Sequence, residues 1–264
     1  MSFFVAAMWS TSALLALDLL QRILVSLRPS GHIDLVSGVL CQAVAFLAAL
    51  FFVVYVHDRD KPLSDVLALR RADVLLCIIA LLLGVALNGP LSLLDDAISS
   101  RYPRSDQDIE TMRELLTAPT LRDKVGLVVA AGIIGPLVEE MFFRGGLLRN
   151  LRRQHGSGLT LFGVSLLFAA SHLDPRNFVP IFLGGLAMGF VRMLSGSLWP
   201  AFLLHGAFNS ASVYVAITAG PDGDLFTRTQ NLVAVPVTLG LVALYAALAL
   251  RSERSSEARE LDTT

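Results

Sequence analysis

Residues 125–150, VGLVVAAGIIGPLVEEMFFRGGLLRN, decide the fold. The first fourteen are apolar apart from glycine and proline, and read as the inside of a membrane. Glu139, Glu140 and Arg144 then follow within the same run. Each ionisable group inside a span costs about 3 kcal/mol on insertion scales, so such residues are functional candidates by default.

Working outward, the whole chain has this character. It has 264 residues, of which 54% are hydrophobic and 16% charged. Soluble domains carry about a quarter charged residues. Mean hydropathy is +0.64. Apolar runs of about 20 residues recur, the length needed to cross a bilayer. Only helices and closed barrels satisfy their backbone groups there, and continuous rather than alternating runs favour helices. The expected fold is all-α: a polytopic transmembrane bundle of about eight spans, at residues 3–27, 33–56, 73–94, 124–148, 159–173, 178–194, 197–217 and 231–250. The first run lacks a basic start and a small-residue cleavage site, so it is expected to be retained as a span rather than removed as a signal peptide.

Net charge is −1, which gives no reason to expect nucleic acid as a partner. Cys41 and Cys77 fall in apolar runs and make neither a disulfide framework nor a CxxC site. Residues 95–123 are charged, but Ile109, Met112, Leu115 and Leu116 share one face of a helix expected to lie on the membrane surface. Residues 251–264 are expected to form a disordered tail. Lys and Arg gather in the loops on the side of the termini, which places the termini in the cytoplasm.

Glu140 and Arg144 are four apart, on one helix face, in the favourable order for an ion pair. Glu139 lies about 100° away and is free to face something else. Pro136 should loosen the helix just before them. His172 ends the run SLLFAASH; His205 and Asn209 share a face of WPAFLLHGAFN. His32, His57 and His155 lie in or beside loops and read as surface residues. Counting about 1.5 Å per residue from the span ends, Glu139, His172 and His205 can meet in the half of the bilayer nearer the termini.

A lone Glu or His in a span often only ties helices together, and the GxxxG at Gly185 and Gly189 reads as close packing. Two histidines, an unpaired glutamate and an asparagine at compatible depths suit chemistry better. A carboxylate shielded from bulk water can act as a general base on a water molecule. One imidazole can orient that water; a second, with an amide NH₂, can donate to the developing oxyanion. Alternatively Glu139, His172 and His205 could hold Zn²⁺. Both routes give hydrolysis, with no cofactor required in the first. No HExxH or GxSxG motif is present.

EEMFFRGGLLRNL resembles the EExxxR motif of the CAAX protease and bacteriocin-processing (CPBP, or Abi) family. FAASH, ending at His172, resembles its FxxxH motif, and HGAFN, from His205 to Asn209, its HxxxN motif. The resemblance covers about residues 124–216. It divides the chain into N-terminal helices and a surface loop at 1–123, a catalytic core at 124–216, and a last span with the tail at 217–264. It implies a bacterial plasma-membrane endopeptidase, similar to type II CAAX prenyl endopeptidases, acting on a membrane-associated protein or peptide. By the same resemblance Glu139 is the base, His172 orients water, His205 and Asn209 form the oxyanion pair, and Glu140 and Arg144 support them. Family membership also admits a non-catalytic scaffold or immunity protein. An ion transporter fits the buried Glu and His but not the motifs.

Overall fold

The computed structural model describes residues 1–29, 31–220 and 225–261. Among them there is no strand. The long helices are α1 (Phe3–Leu27), α2 (Leu35–His57), α3 (Val74–Arg101), a short α4 (Asp106–Leu116), a composite α5 (Leu121–Arg152), α6 (Ser157–Ser171), α7 (Phe178–Ser195), α8 (Leu198–Ala219) and α9 (Arg228–Leu261). Seven of these are long and apolar enough to cross a membrane. The fifth expected span is α6, whose 15 residues reach about 22 Å, short of a hydrocarbon core of about 30 Å. The protein is thus an all-α, polytopic helical bundle.

At the edges of the bundle one expectation gains detail and one changes. The amphipathic segment is a helix with a Ser105 capping box, and Ile109, Met112, Leu115 and Leu116 are its half-buried face. That face packs toward the bundle, since Leu115 lines a cavity that also holds Glu139. The stretch expected to be a disordered tail continues α9 as far as Leu261. Its Glu, Ala, Arg and Leu residues are helix formers, and no Gly or Pro interrupts them. Residues 262–264 lie outside the described residues.

Successive spans alternate in direction, so the bundle has two ends. At the end of the N-terminus, Asp58 caps α2 and is buried. Asn150 Nδ2 donates to its Oδ2 at 2.7 Å, Arg153 pairs with its Oδ1, and Lys61 Nζ stands 3.3 Å from the same oxygen. Burial pushes the Asp58 carboxyl up, but the hydrogen bonds from Arg153 and Asn150 outweigh it and hold the group below the usual carboxylate range. The Met1 amine adds a bond to the Asn150 carbonyl at 3.3 Å. This network ties α2 to the end of α5.

α5 is the helix the rest is built around. A capping box of Thr120 and Asp123 starts it. It passes through a π-helical stretch, Ala130–Ile134, a short α stretch, Gly135–Glu140, and a second π stretch, Met141–Leu147. Pro136 is the local cause of the first, because it has no N–H to donate. Around the first, Gly135 N–H reaches back five residues to the Ala130 carbonyl. In that register the missing proline N–H leaves the Ala131 carbonyl without its ladder partner. Small residues let α8 close on this site: a Cβ at Gly206 would stand 2.9 Å from the Gly132 carbonyl oxygen. Below them Phe46, Phe142, Phe143 and Phe168 pack edge to face, with centroids 5.0–6.0 Å apart.

Candidate active site

The adjacent glutamates sit in different surroundings. Glu140 and Arg144 are fully buried, 0% exposed, and paired at 2.8 Å (Nη1 to Oε1). Arg144 Nη2 also donates to the Gly185 carbonyl of α7 at 3.0 Å, and its guanidinium lies 4.3 Å from the centre of the Phe168 ring. One side chain thus joins α5, α6 and α7. Its Gly185 anchor is available because α7 runs close to α6: Gly185 and Gly189 face Ser165, Phe168 and Leu161.

Glu139 is turned toward α2 and α8. Gln42 Nε2 donates to its Oε1 at 2.5 Å. Its Oε2 faces His205 Nε2 at 3.6 Å, beyond a hydrogen bond. His205 is the link between the two carboxylates, because its Nδ1 stands 3.0 Å from Glu140 Oε1. An ionised carboxylate only accepts, so Nδ1 carries the proton. The glutamate expected to be neutralised by Arg144 alone therefore also fixes the orientation of His205.

His172 is the C-cap of α6, and its Nδ1 lies 2.9 Å from the Phe168 carbonyl. A carbonyl accepts only, so Nδ1 is the donor and Nε2 of the neutral ring is an acceptor. Asn209 Nδ2 donates at 3.0 Å to the Ala131 carbonyl, the group that Pro136 leaves unpaired in the π-helical stretch. Its second N–H remains for another acceptor.

Two cavities reach these residues. The larger, about 510 Å³, is lined by His172, His205 and Asn209 and extends past Asn88 and Asp95 to Asn177 and Gly220. The smaller, about 320 Å³, is lined by Gln42, Glu139 and His172 and extends to Gln21 and Asp34. His172 is common to both. Asp95, Asn177, Gly220 and Asp34 all lie at the helix ends opposite Met1 and Asp58. Both cavities therefore extend toward the end bearing α4, a feature the depth reading did not address. Counting from span ends could not find this, because the direction in which a site opens depends on which helices splay.

The zinc alternative meets a geometric difficulty. Among the described residues, no three His, Cys, Asp or Glu side chains converge as a metal would need. Glu139 and His205 approach each other, but His172 does not complete a set with them. As arranged, this donor set does not fit a zinc ion.

Sequence reading missed Gln42, a lone amide in the apolar run LCQAVAF, and the part played by Phe168. Phe168 touches Arg144, His172 (ring centroids 4.9 Å) and His205 (5.7 Å) at once. The signal for Gln42 was visible as an uncharged polar residue inside a span; that for Phe168 was not, since phenylalanine is ordinary there.

The fold and the site together define a polytopic helical membrane protein with a cluster of carboxylate, imidazole and amide groups below an open cavity. Residues 122–211, about a third of the chain, match the family model described as Rce1-like: Type II CAAX prenyl endopeptidase Rce1-like. Comparison with curated proteins and with solved structures gives no match.

Proposed function

We propose that this protein is an intramembrane endopeptidase that hydrolyses a peptide bond in a membrane-associated protein or peptide, with Glu139 as the base that activates water. The observation that carries the reading is the inequality of the two glutamates. Each carboxylate has an Oε2 without a hydrogen bond among the described residues, but Glu140 is fully buried between Arg144 and His205, whereas Glu139 turns its Oε2 side to a cavity wall.

The chemistry follows from the hydrogen-bond directions. Water between Glu139 Oε2 and His172 Nε2 meets two acceptors, which orient both its protons and leave a lone pair for the substrate carbonyl. As the C–O bond forms, Glu139 takes one proton. The carbonyl oxygen gains charge beside His205 Nε2 and the second N–H of Asn209. To donate from Nε2 while Nδ1 stays on Glu140, His205 must carry protons on both nitrogens. The tetrahedral adduct collapses with cleavage of the C–N bond, and Glu139 returns its proton to the leaving amine. The products are a carboxylic acid and an amine.

The test is hydrolysis of lipid-anchored peptides by purified protein in liposomes, measured against metal content after washing with chelator. Turnover that persists at substoichiometric zinc supports the metal-free route. Turnover that rises and falls with zinc content contradicts it. A correctly folded protein with no turnover on any anchored peptide, whose cellular effect survives Glu139→Gln, would point to a scaffold or immunity role instead.

A further inference from the structure

One wall of the larger cavity is polar for a reason that the hydrolytic groups do not explain. Asn88, Ser92 and Asp95 recur at helical spacing along α3 and all line the cavity. Ser212 Oγ of α8 donates to Asn88 Oδ1 at 3.0 Å, and Asn231 Nδ2 of α9 donates to Ser92 Oγ at 3.3 Å. Asn231 is 1% exposed and lines the same cavity, yet its Oδ1 has no hydrogen-bond partner among the described residues. Asp95 Oδ1 is likewise buried and without a hydrogen bond; its nearest cation, Arg104 Nη2, is 3.9 Å away. By contrast Asp174, also on the cavity, is satisfied: Oδ1 accepts from the Arg176 and Asn177 backbone N–H groups, and Oδ2 from Asn177 Nδ2. Both open valences on the α3–α9 wall are therefore acceptors, and one of them belongs to a carboxylate.

A buried acceptor without a donor is costly unless something supplies the donor. The chemistry that fits a carboxylate and an amide oxygen on one wall is a cation with several N–H groups. We infer that Asp95 and Asn231 form a subsite for a lysine or arginine side chain of the substrate, at the mouth of the cavity above His205 and Asn209. This rests on the proposal that the cavity receives the peptide. It adds a specificity: the cleaved segment carries a basic residue a few positions from the scissile bond. Asp95 would act by holding the substrate and takes no part in the bond change.

Binding separates this inference from the hydrolysis reading. The probes are N-dodecanoyl tetrapeptide amides, identical except for lysine, norleucine or glutamate at one position scanned along the peptide. They are titrated against detergent-purified wild type. The lysine probe should bind about tenfold more tightly than norleucine at one position, the scale of a charge-assisted hydrogen bond. Asp95→Asn, nearly isosteric and on a half-exposed rim, should remove that preference, and Asp95→Lys should shift it toward glutamate. Equal binding of the lysine and norleucine probes at every position would overturn the subsite, as would no binding at all, or a preference that survives Asp95→Asn. These results stand whether or not the protein turns the peptides over.

Discussion

Two aspartates, one at each end of the bundle, are held in opposite ways. At the N-terminal end, Asp58 is buried and nearby cations and an amide are turned onto it: Arg153, Lys61 and Asn150. At the other end, Asp95 Oδ1 and Asn231 Oδ1 are buried without a hydrogen bond, and the cavities between the helices run from there to Glu139, His172 and His205. Between the ends lies the Glu140–Arg144 pair, fully enclosed. The difference teaches which groups hold the fold and which are left to meet a ligand. Paired charges lock α2, α5, α6 and α7 together. Asp95 and Asn231, whose open acceptors line the larger cavity, stand where the helices part, whereas Glu140 Oε2 and Arg144 Nε, also without a hydrogen bond, are sealed inside the bundle.

The sharpest way to break this comparison is topological, with an all-or-none readout. Cysteines placed at Ser64 and Ser105, in a background without Cys41 and Cys77, should be labelled from opposite faces of the membrane. The Lys and Arg distribution expects Ser64→Cys to be labelled only from the cytoplasmic side, which puts the cavity mouth on the far side. Labelling of both from one side would undo the two-ended description.

Next in size is the enclosed pair. Glu140→Gln leaves Arg144 charged and fully buried with a weaker partner, and should cost about 3–5 kcal/mol in unfolding free energy. A denaturation midpoint equal to wild type would mean that the pair is not a lock. Smaller is Asn209→Ala, which strands the Ala131 carbonyl in the π-helical stretch and should cost about 1–3 kcal/mol. The smallest effect belongs to Asp58. Its carboxyl lies below the usual range in the folded state, so its stabilising share is complete above the unfolded value of about 3.9. That share is lost as pH falls through the lower folded value. Acid titration of stability should show this loss in wild type and not in Asp58→Asn.

Much of this was legible in the sequence, and the reasons are physical. A charge inside an apolar run is conspicuous, so Glu139, Glu140, Arg144, His172 and His205 stood out. The i, i+4 rule assigned Arg144 to Glu140 because both lie on one helix. Pro136 announced a defect in the ladder, though not that the defect would be π-helical or that Asn209 would fill it. What stayed hidden was relational. The bond from Gln42 to Glu139 joins residues 97 apart in sequence, and His205 bridges two adjacent carboxylates across 65 residues. The polar wall of α3 was hidden too, because its partners Ser212 and Asn231 come from helices far along the chain. The direction in which the cavity opens is a property of the whole bundle and has no local signature.

The central claim is that the glutamate on a cavity wall does the chemistry while its fully enclosed neighbour holds the structure. It is tested most directly by Glu139→Gln, assayed for hydrolysis of a lipid-anchored peptide and for thermal stability in the same preparation. The account predicts turnover reduced by a factor of about 10²–10⁴, the usual range for loss of a general base, with an unfolding midpoint near that of wild type. Wild-type turnover in folded Glu139→Gln would contradict it.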